Sequence, residues 1–576
     1  MNIVVFVGAM AVALLLLILI QENHRKKQAA LRNLEQIREE YGKRPFSLPV
    51  RSRQVKIEKS MSEDAMWIDD LTWNDLDMDS VFKRLDYTRS SAGHEMLYHM
   101  LRKPLVQVEE LEKREALITL FQQEEKQREK LSELLSAIGT TGKYTLQDYL
   151  DQIQKAKPGR IRKHLFLDLL YIPVLVLLFI HPLWGLCSLF VLAFACILDY
   201  FKEKAKVNPY LVSFAYILRM LHYGKQIGKA ELPSLGAYQD VLKQAEKKLA
   251  SLESFSGFAM SMDNPVGSSD PVSVLFEYVN MLFHLNLMKI ASMFRVVKKE
   301  KDTVMEMVHV IGYLDACISI AYYRASLEEY CVPAWNKEVL EAESVYHPLL
   351  ENPVKNNLKM EKNILLTGSN ASGKSTFLKT MGIQVIFSQT ICTCNAKHIF
   401  LPVMKVMSSM AVRDSLQSGD SYYVAEIKAM KRIMDACESG RRLQCKEENM
   451  SGSELGSKQG SVSVFCLVDE VLRGTNTVER IAASCEILKS LSKPGVLCMA
   501  ATHDIELTDL LAGYFDNYHF QETIENGDVK FSYELQRGKA SSRNAIKLLQ
   551  VMGYDAKVVQ DAEKMATDFL STGKWM

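Results

Sequence analysis

Between Leu365 and Thr380 the chain reads LLTGSNASGKSTFLKT. Gly368 to Ser375 fits the spacing G-x-x-x-x-G-K-[ST], with the strand-like run NILLT before it and the helix-like run TFLKTMGIQVIF after it. A strand that turns through glycines into a helix turns backbone amides and a helix N-terminus toward one point, which is an anion site, and it demands a parallel α/β sheet around it. In this reading Gly368 and Gly373 let the loop curl around phosphates. Lys374 reaches the β and γ phosphates of a nucleotide, and the Ser375 hydroxyl is a ligand for Mg²⁺.

Such a site needs an apolar strand that ends in acid, and VFCLVDE, Val464 to Glu470, supplies one. Asp469 is the candidate for Mg²⁺ and Glu470 for polarising an attacking water, so the acidic pair points to hydrolysis. A third run, VLCMAATHD, ends in Thr502-His503, where His503 could sense the γ-phosphate; on its own it reads as an ordinary strand end. After Tyr346 short apolar runs alternate with helical segments, the pattern of a sheet flanked by helices. The polar stretch from Glu438 to Ser463, rich in Ser and Gly, is expected to be a loop.

Two apolar segments sit far from this site. Ile3 to Ile20 carries no charge and is followed by His24-Arg25-Lys26-Lys27, an order that fits an uncleaved anchor with the remainder of the chain in the cytoplasm. Leu165 to Tyr200 is long enough for two short spans, broken at His181-Pro182 and Gly185, and its basic flanks place both ends on the cytoplasmic side. Asp168 lies near the start of this block, close enough to the interface to stay wet. A buried soluble hairpin is the alternative. The remaining segments up to about Trp335 read as amphipathic helices.

A formal net charge of +1 over 576 residues gives no global attraction to nucleic acid, so contact with DNA would need a local basic face. The 11 cysteines are scattered, and the pair Cys392 and Cys394 lacks the spacing of a zinc site; reduced thiols are expected.

The ordered motifs resemble those of the MutS family of ATPases, relatives of the ABC ATPases that act in DNA mismatch repair. TGSNASGKST is similar to the family's TGPNMGGKST, keeping Asn370 and Thr376. DEVLRGTNT resembles DEIGRGTST, with Leu472 and Asn476 departing, and ATHDIELTDL resembles the switch segment TH-x-x-EL. RDSLQSGDSYYVAEIKAM resembles the signature segment through Ser418, Gly419, Ser421 and Glu426. Looser likeness extends upstream to about Asp64 and downstream through YELQRGKASSRNAIKLLQVMGYDAKVVQDA.

The apolar segments and the resemblance together give a multidomain chain: an anchor (1–22), a linker (23–63), a MutS-like α-helical core in two parts (64–164 and 201–340) around a transmembrane hairpin (165–200) that the family pattern lacks, and a C-terminal α/β P-loop ATPase domain of ABC-like type (341–576). It implies ATP with Mg²⁺, held by Gly368, Asn370, Gly373, Lys374, Ser375, Thr376 and Asp469, with Glu470 and His503 catalytic. It also implies a homodimer in which Ser418 and Gly419 of one subunit meet the γ-phosphate on the other. The family's mismatch-reading domain and DNA clamp have no evident place here, and no nuclease tail is expected. Two functions follow: a multi-pass ATPase at the inner membrane that engages mismatched, damaged or branched DNA, or an ATP-driven membrane switch acting on a protein or lipid with no DNA role. An ABC transporter fits less well, because the signature lacks the LSGGQ form.

Overall fold

The structure is a computed structural model describing residues 21, 24–25, 27–43, 65–141, 145–155, 161–253, 278–336, 339–369, 372–410, 422–448, 463–525, 528–540, 546, 549 and 552–572. The expected anchor Ile3–Ile20 lies outside the described residues, as do Asn370, Ser418 and Gly419. The chain divides into two compact units, one of Met1–Ile57, Asp86–Tyr98 and Ile118–Ala325, the other of Glu58–Leu85, His99–Leu117 and Ser326–Met576. The stretch drawn from sequence as one helical segment, 64–164, is therefore shared between them.

The first unit is built of helices and the turns between them, with no strand among its described residues. Its core is helix Lys301–Ala325, in which Ile311, Leu314, Ile318 and Tyr322 are buried together with Asp315. The Asp315 carboxylate is tolerated there because Ser90 Oγ and the Ser90 and Arg89 amides donate to it. Burial still outweighs those donors and pushes its carboxyl up to about 6. The apolar block forms a helical hairpin, Tyr171–Ile180 against the first part of Pro182–Lys229, a helix of 48 residues. His181 and Pro182 make the turn. Gly185 is inside the second helix, where a Cβ would stand 2.2 Å from Leu178 Cα, so the residue marks close approach of the two helices and not a break.

Among the described residues, three helical runs are long and apolar enough to cross a membrane, by length and composition alone: Ile161–Ile180, Pro182–Lys229 and Lys301–Ala325. Burial separates them. The apolar window of Lys301–Ala325 is 72% buried and belongs to the core, whereas those of the hairpin are 11% and 17% buried. Phe179, Leu183, Trp184, Phe190 and Val191 stand exposed along the hairpin, an apolar surface that water disfavours.

The second unit holds two sheets. Strands β1 (Ala334–Trp335), β2 (Leu340–Val345), β3 (Asn356–Met360) and β5 (His398–Leu401) form a four-stranded sheet in the order β1-β5-β2-β3. Strands β4 (Asn363–Thr367), β6 (Met404–Ser409), β7 (Ser463–Asp469), β8 (Val496–Ala501), β9 (Phe515–Glu525) and β10 (Asp528–Arg537) form the second, in the order β10-β9-β4-β8-β7-β6, parallel from β9 to β6. Period-two alternation sorts its faces. Val464, Cys466 and Val468 of β7 join Cys498 and Ala500 of β8 in a cluster with Ile433 and Leu488, from helices Tyr422–Glu448 and Thr477–Leu491. Leu467 points the other way, where Gly382 of helix Lys374–Thr390 lets it approach: a Cβ there would be 2.5 Å from Leu467 Cδ1. Helix Tyr422–Glu448 continues into the stretch expected to be a loop from Glu438.

The segment before helix Met78–Leu85 is a structural part of this unit. Asp69 caps helix Asp70–Asp75 by accepting from the Thr72 amide at 2.9 Å. The buried Asp75 carboxylate accepts from Ser408 Oγ at 2.7 Å and from the Met410 amide at 3.0 Å, holding the end of β6. Replacing Asp75 with Ala leaves those donors buried without their acceptor and is expected to destabilise this unit by about 2 kcal/mol, read as a lower denaturant midpoint at an unchanged slope.

Candidate nucleotide site

Register builds the site. Leu366 of β4 and Asp469 of β7 both pair with Ala501 of β8, so the three parallel strands end in one row. Gly368, Glu470 and the Thr502-His503 pair emerge together from that carboxyl edge, where ligands bind in open parallel sheets. Glu470 and His503 line a cleft of about 800 Å³ with Ser369, Gly373, Lys374, Ser375, Thr376 and Asp469. Of the sequence-selected site residues among the described ones, Gly373, Lys374, Ser375, Thr376, Asp469, Glu470 and His503 line it, and Gly368 directly precedes the lining residue Ser369.

Around the loop, Gly368 has φ +145° and Gly373 φ +108°. A Cβ at Gly368 would lie 2.8 Å from the Phe520 carbonyl oxygen and 2.9 Å from Ser372 Oγ, so glycine is required by conformation and by space. Gly373 opens helix Lys374–Thr390, whose first turn adds no acidic side chain to repel an anion. The buried Lys374 Nζ donates to the Gly368 and Ser369 carbonyls, both at 2.8 Å. Ser372 Oγ is buried and has no hydrogen-bond partner.

Opposite the loop, Glu470 Oε1 lies 2.7 Å from His503 Nε2 and its other oxygen pairs with Arg473 Nε. Burial raises the Glu470 carboxyl, but the His503 hydrogen bond and the Arg473, His503 and Lys374 charges outweigh it and hold the group below its ordinary value. Sequence reading selected Glu470 and His503 separately and missed that they touch, because contact between strand ends 33 residues apart follows from register. Glu470 and Leu472 both have φ +58°, a left-handed conformation that costs a side-chain-bearing residue about 1–2 kcal/mol. The second is the place of glycine in DEIGRGTST, and here Leu472 adopts that backbone while burying its side chain. The other departure, Asn476, preserves the local chemistry: its side chain accepts from the Glu479 amide as the N-cap of helix Thr477–Leu491, a role Asn fills as well as Ser. Arg480 of that helix holds Asp504 through two hydrogen bonds at 2.9 and 2.6 Å, which fixes the loop after His503.

His347 lines the same cleft and is mostly buried. Burial first, and Lys379 second, push its imidazole down to about 4, against a smaller pull from Asp77. The unfolded chain, with an ordinary histidine near 6.5, then binds more protons between pH 6.5 and 4. The stabilisation from neutral His347 is complete above pH 6.5 and lost as pH falls to 4, up to roughly 3 kcal/mol. Thermal unfolding across that range is expected to show a fall in midpoint that is smaller in His347→Gln.

The family model for MutS domain V matches residues 364–443 and 454–570. Over 276 residues the chain is 28% identical to the DNA mismatch repair protein MutS of Thermotoga maritima, a match covering 46% of this chain and 32% of that protein. It is 28% identical over 284 residues to the DNA mismatch repair protein MutS of Lactobacillus helveticus, covering 47% and 30%. It is also 24% identical over 309 residues to MutS protein homolog 4 of Mus musculus, covering 50% and 30%. The matched part thus spans about a third of each relative's length.

Proposed function

From the premise that this chain belongs to the MutS family, we propose that it is a membrane-tethered, dimeric ATPase whose nucleotide-driven motion acts on DNA at the cytoplasmic face of a membrane. The observation that carries the ATPase part is the single row of strand ends that brings Lys374, Asp469, Glu470 and His503 into one cleft.

The donor set fits a polyphosphate. The Lys374 ammonium now satisfies itself on its own loop's carbonyls, bonds that phosphate oxygens can replace, and the orphaned Ser372 hydroxyl gains an acceptor. Ser375 and Asp469, which line the same cleft, would hold Mg²⁺, which neutralises phosphate charge when bound. By the resemblance of the loop's sequence, Asn370 and Thr376 would also contact the nucleotide. Glu470 orients and polarises the attacking water, and His503 and Arg473 fix that carboxylate so that its direction does not wander. Ser418 and Gly419 of the partner subunit close the site from the far side, so ATP draws two copies together and its hydrolysis releases them.

The tether rests on the exposed apolar hairpin with basic flanks, and on the charge-free stretch Ile3–Ile20. Engagement of DNA rests on relatives that are themselves named for mismatch repair. The hairpin favours a second reading, a membrane switch working on a protein or lipid, because a chain fixed in a bilayer meets such partners first. Steady-state ATP hydrolysis by the detergent-purified chain separates the two. Glu470→Gln is expected to lower turnover roughly 10²- to 10⁴-fold with ATP binding kept. Stimulation by mismatched or branched duplex that fades as salt rises supports DNA contact. Glu470-dependent turnover indifferent to every DNA rejects it and leaves the membrane switch.

A further inference from the structure

Outside the nucleotide site, the hairpin's open end gathers a second set of ligand-bearing side chains. His164 stands on helix Ile161–Leu169, Asp199 on helix Pro182–Lys229 and His284 directly before helix Leu285–Lys299. Their donor atoms lie within 4.8 Å of one another. Asp199 Oδ2 is 3.7 Å from His164 Nδ1 and 3.8 Å from His284 Nε2, and the two imidazoles stack at 4.8 Å. Behind His284, its Nδ1 lies 3.7 Å from Asp168 Oδ1.

These separations are too long for hydrogen bonds. His164 and His284 are 1% and 0% exposed. His164 Nδ1, both ring nitrogens of His284, Asp199 Oδ2 and Asp168 Oδ1 are all buried with no hydrogen-bond partner. So many orphaned polar atoms in one place, at about 1–3 kcal/mol each, call for something between them. Two of the three donor pairs are 3.7–3.8 Å apart and the third within 4.8 Å, so side-chain rotation that draws them to about 3.4 Å lets them share one ion with bonds of about 2.1 Å. The backbone supports the same reading. His284 has φ +49°, a strained conformation between helical residues 278–283 and the following helix, and that break holds its ring in the cluster.

We propose that His164, Asp199 and His284 bind one divalent first-row transition metal ion, with Asp168 accepting from His284 Nδ1 as the carboxylate that orients this ligand. Two neutral imidazoles and two carboxylates balance a double positive charge, and a nitrogen–oxygen set suits Zn²⁺, Fe²⁺ or Co²⁺ over ions that demand thiolate. Lys163 occupies the other Asp199 oxygen, Oδ1, and so directs Oδ2 toward the ion. The ligands come from two helices and from the break that precedes a third, so the ion would pin the hairpin's base to the helix that follows. It also explains an aspartate at the edge of an apolar block: Asp168 is there for His284.

The test uses the full chain in detergent, stripped with chelator and loaded without nucleotide with Zn²⁺ or, separately, Co²⁺. One ion per chain is expected by elemental analysis after gel filtration, retained in Asp469→Asn and lost in the His164→Ala/His284→Ala chain. Asp168→Asn is expected to weaken binding roughly 10- to 100-fold. The Co²⁺ form of the unmutated chain should show weak ligand-field bands without an intense sulfur-to-cobalt band, a readout that does not depend on any variant folding. A metal-free chain after loading, a sulfur-to-cobalt band, or full retention by the double variant overturns the assignment.

Discussion

The common register of β4, β8 and β7 is the constraint on which the second unit depends. Parallel strands buried on both faces must be apolar, and those interiors carry no chemistry. What the strands supply is direction: Leu366, Ala501 and Asp469 sit abreast, so whatever follows each of them is delivered to the same edge. A slip of one residue in β7 would turn Asp469 to the other face of the sheet and take Glu470 away from His503. The packing that prevents such a slip is specific, with Leu467 against Gly382 on one face and the cysteine- and valine-rich cluster on the other.

Much of this was legible in the sequence. The loop Gly368–Ser375 announces its own flanking strand and helix, and Asp469-Glu470 ends a run whose only coherent reading is a buried strand. What escaped was contact between distant segments. Nothing in Asp75 marks it as the acceptor for Ser408 and Met410, over 330 residues away, so the early helices were read as part of the helical region. The link between Glu470 and His503, and the gathering of His164, Asp199 and His284, likewise depend on tertiary packing and leave no spacing signal. Gly185 misled in the opposite direction: glycine in an apolar run suggests a break, whereas here it permits one helix to touch another.

The two departures from the resembled motif teach different lessons. Asn476 is a substitution in name only, since the cap hydrogen bond survives. Leu472 is a physical change, because a left-handed backbone position now carries a buried side chain beside Glu470 and Arg473. Strain is thereby stored next to Glu470, and the Arg473 and His503 contacts hold its carboxylate in place.

If the edge formed by these three strands is a nucleotide site, the loop's ammonium and its first glycine must both be needed to hold ATP. Equilibrium binding of ATP with Mg²⁺ to the full chain in detergent tests this most directly, with Lys374→Ala and Gly368→Ala for comparison. Saturable binding of one nucleotide per chain is expected, lost when the ammonium is removed or when a Cβ is forced against the Phe520 carbonyl. Binding that both variants retain unchanged, or none in the unmutated chain, would contradict it.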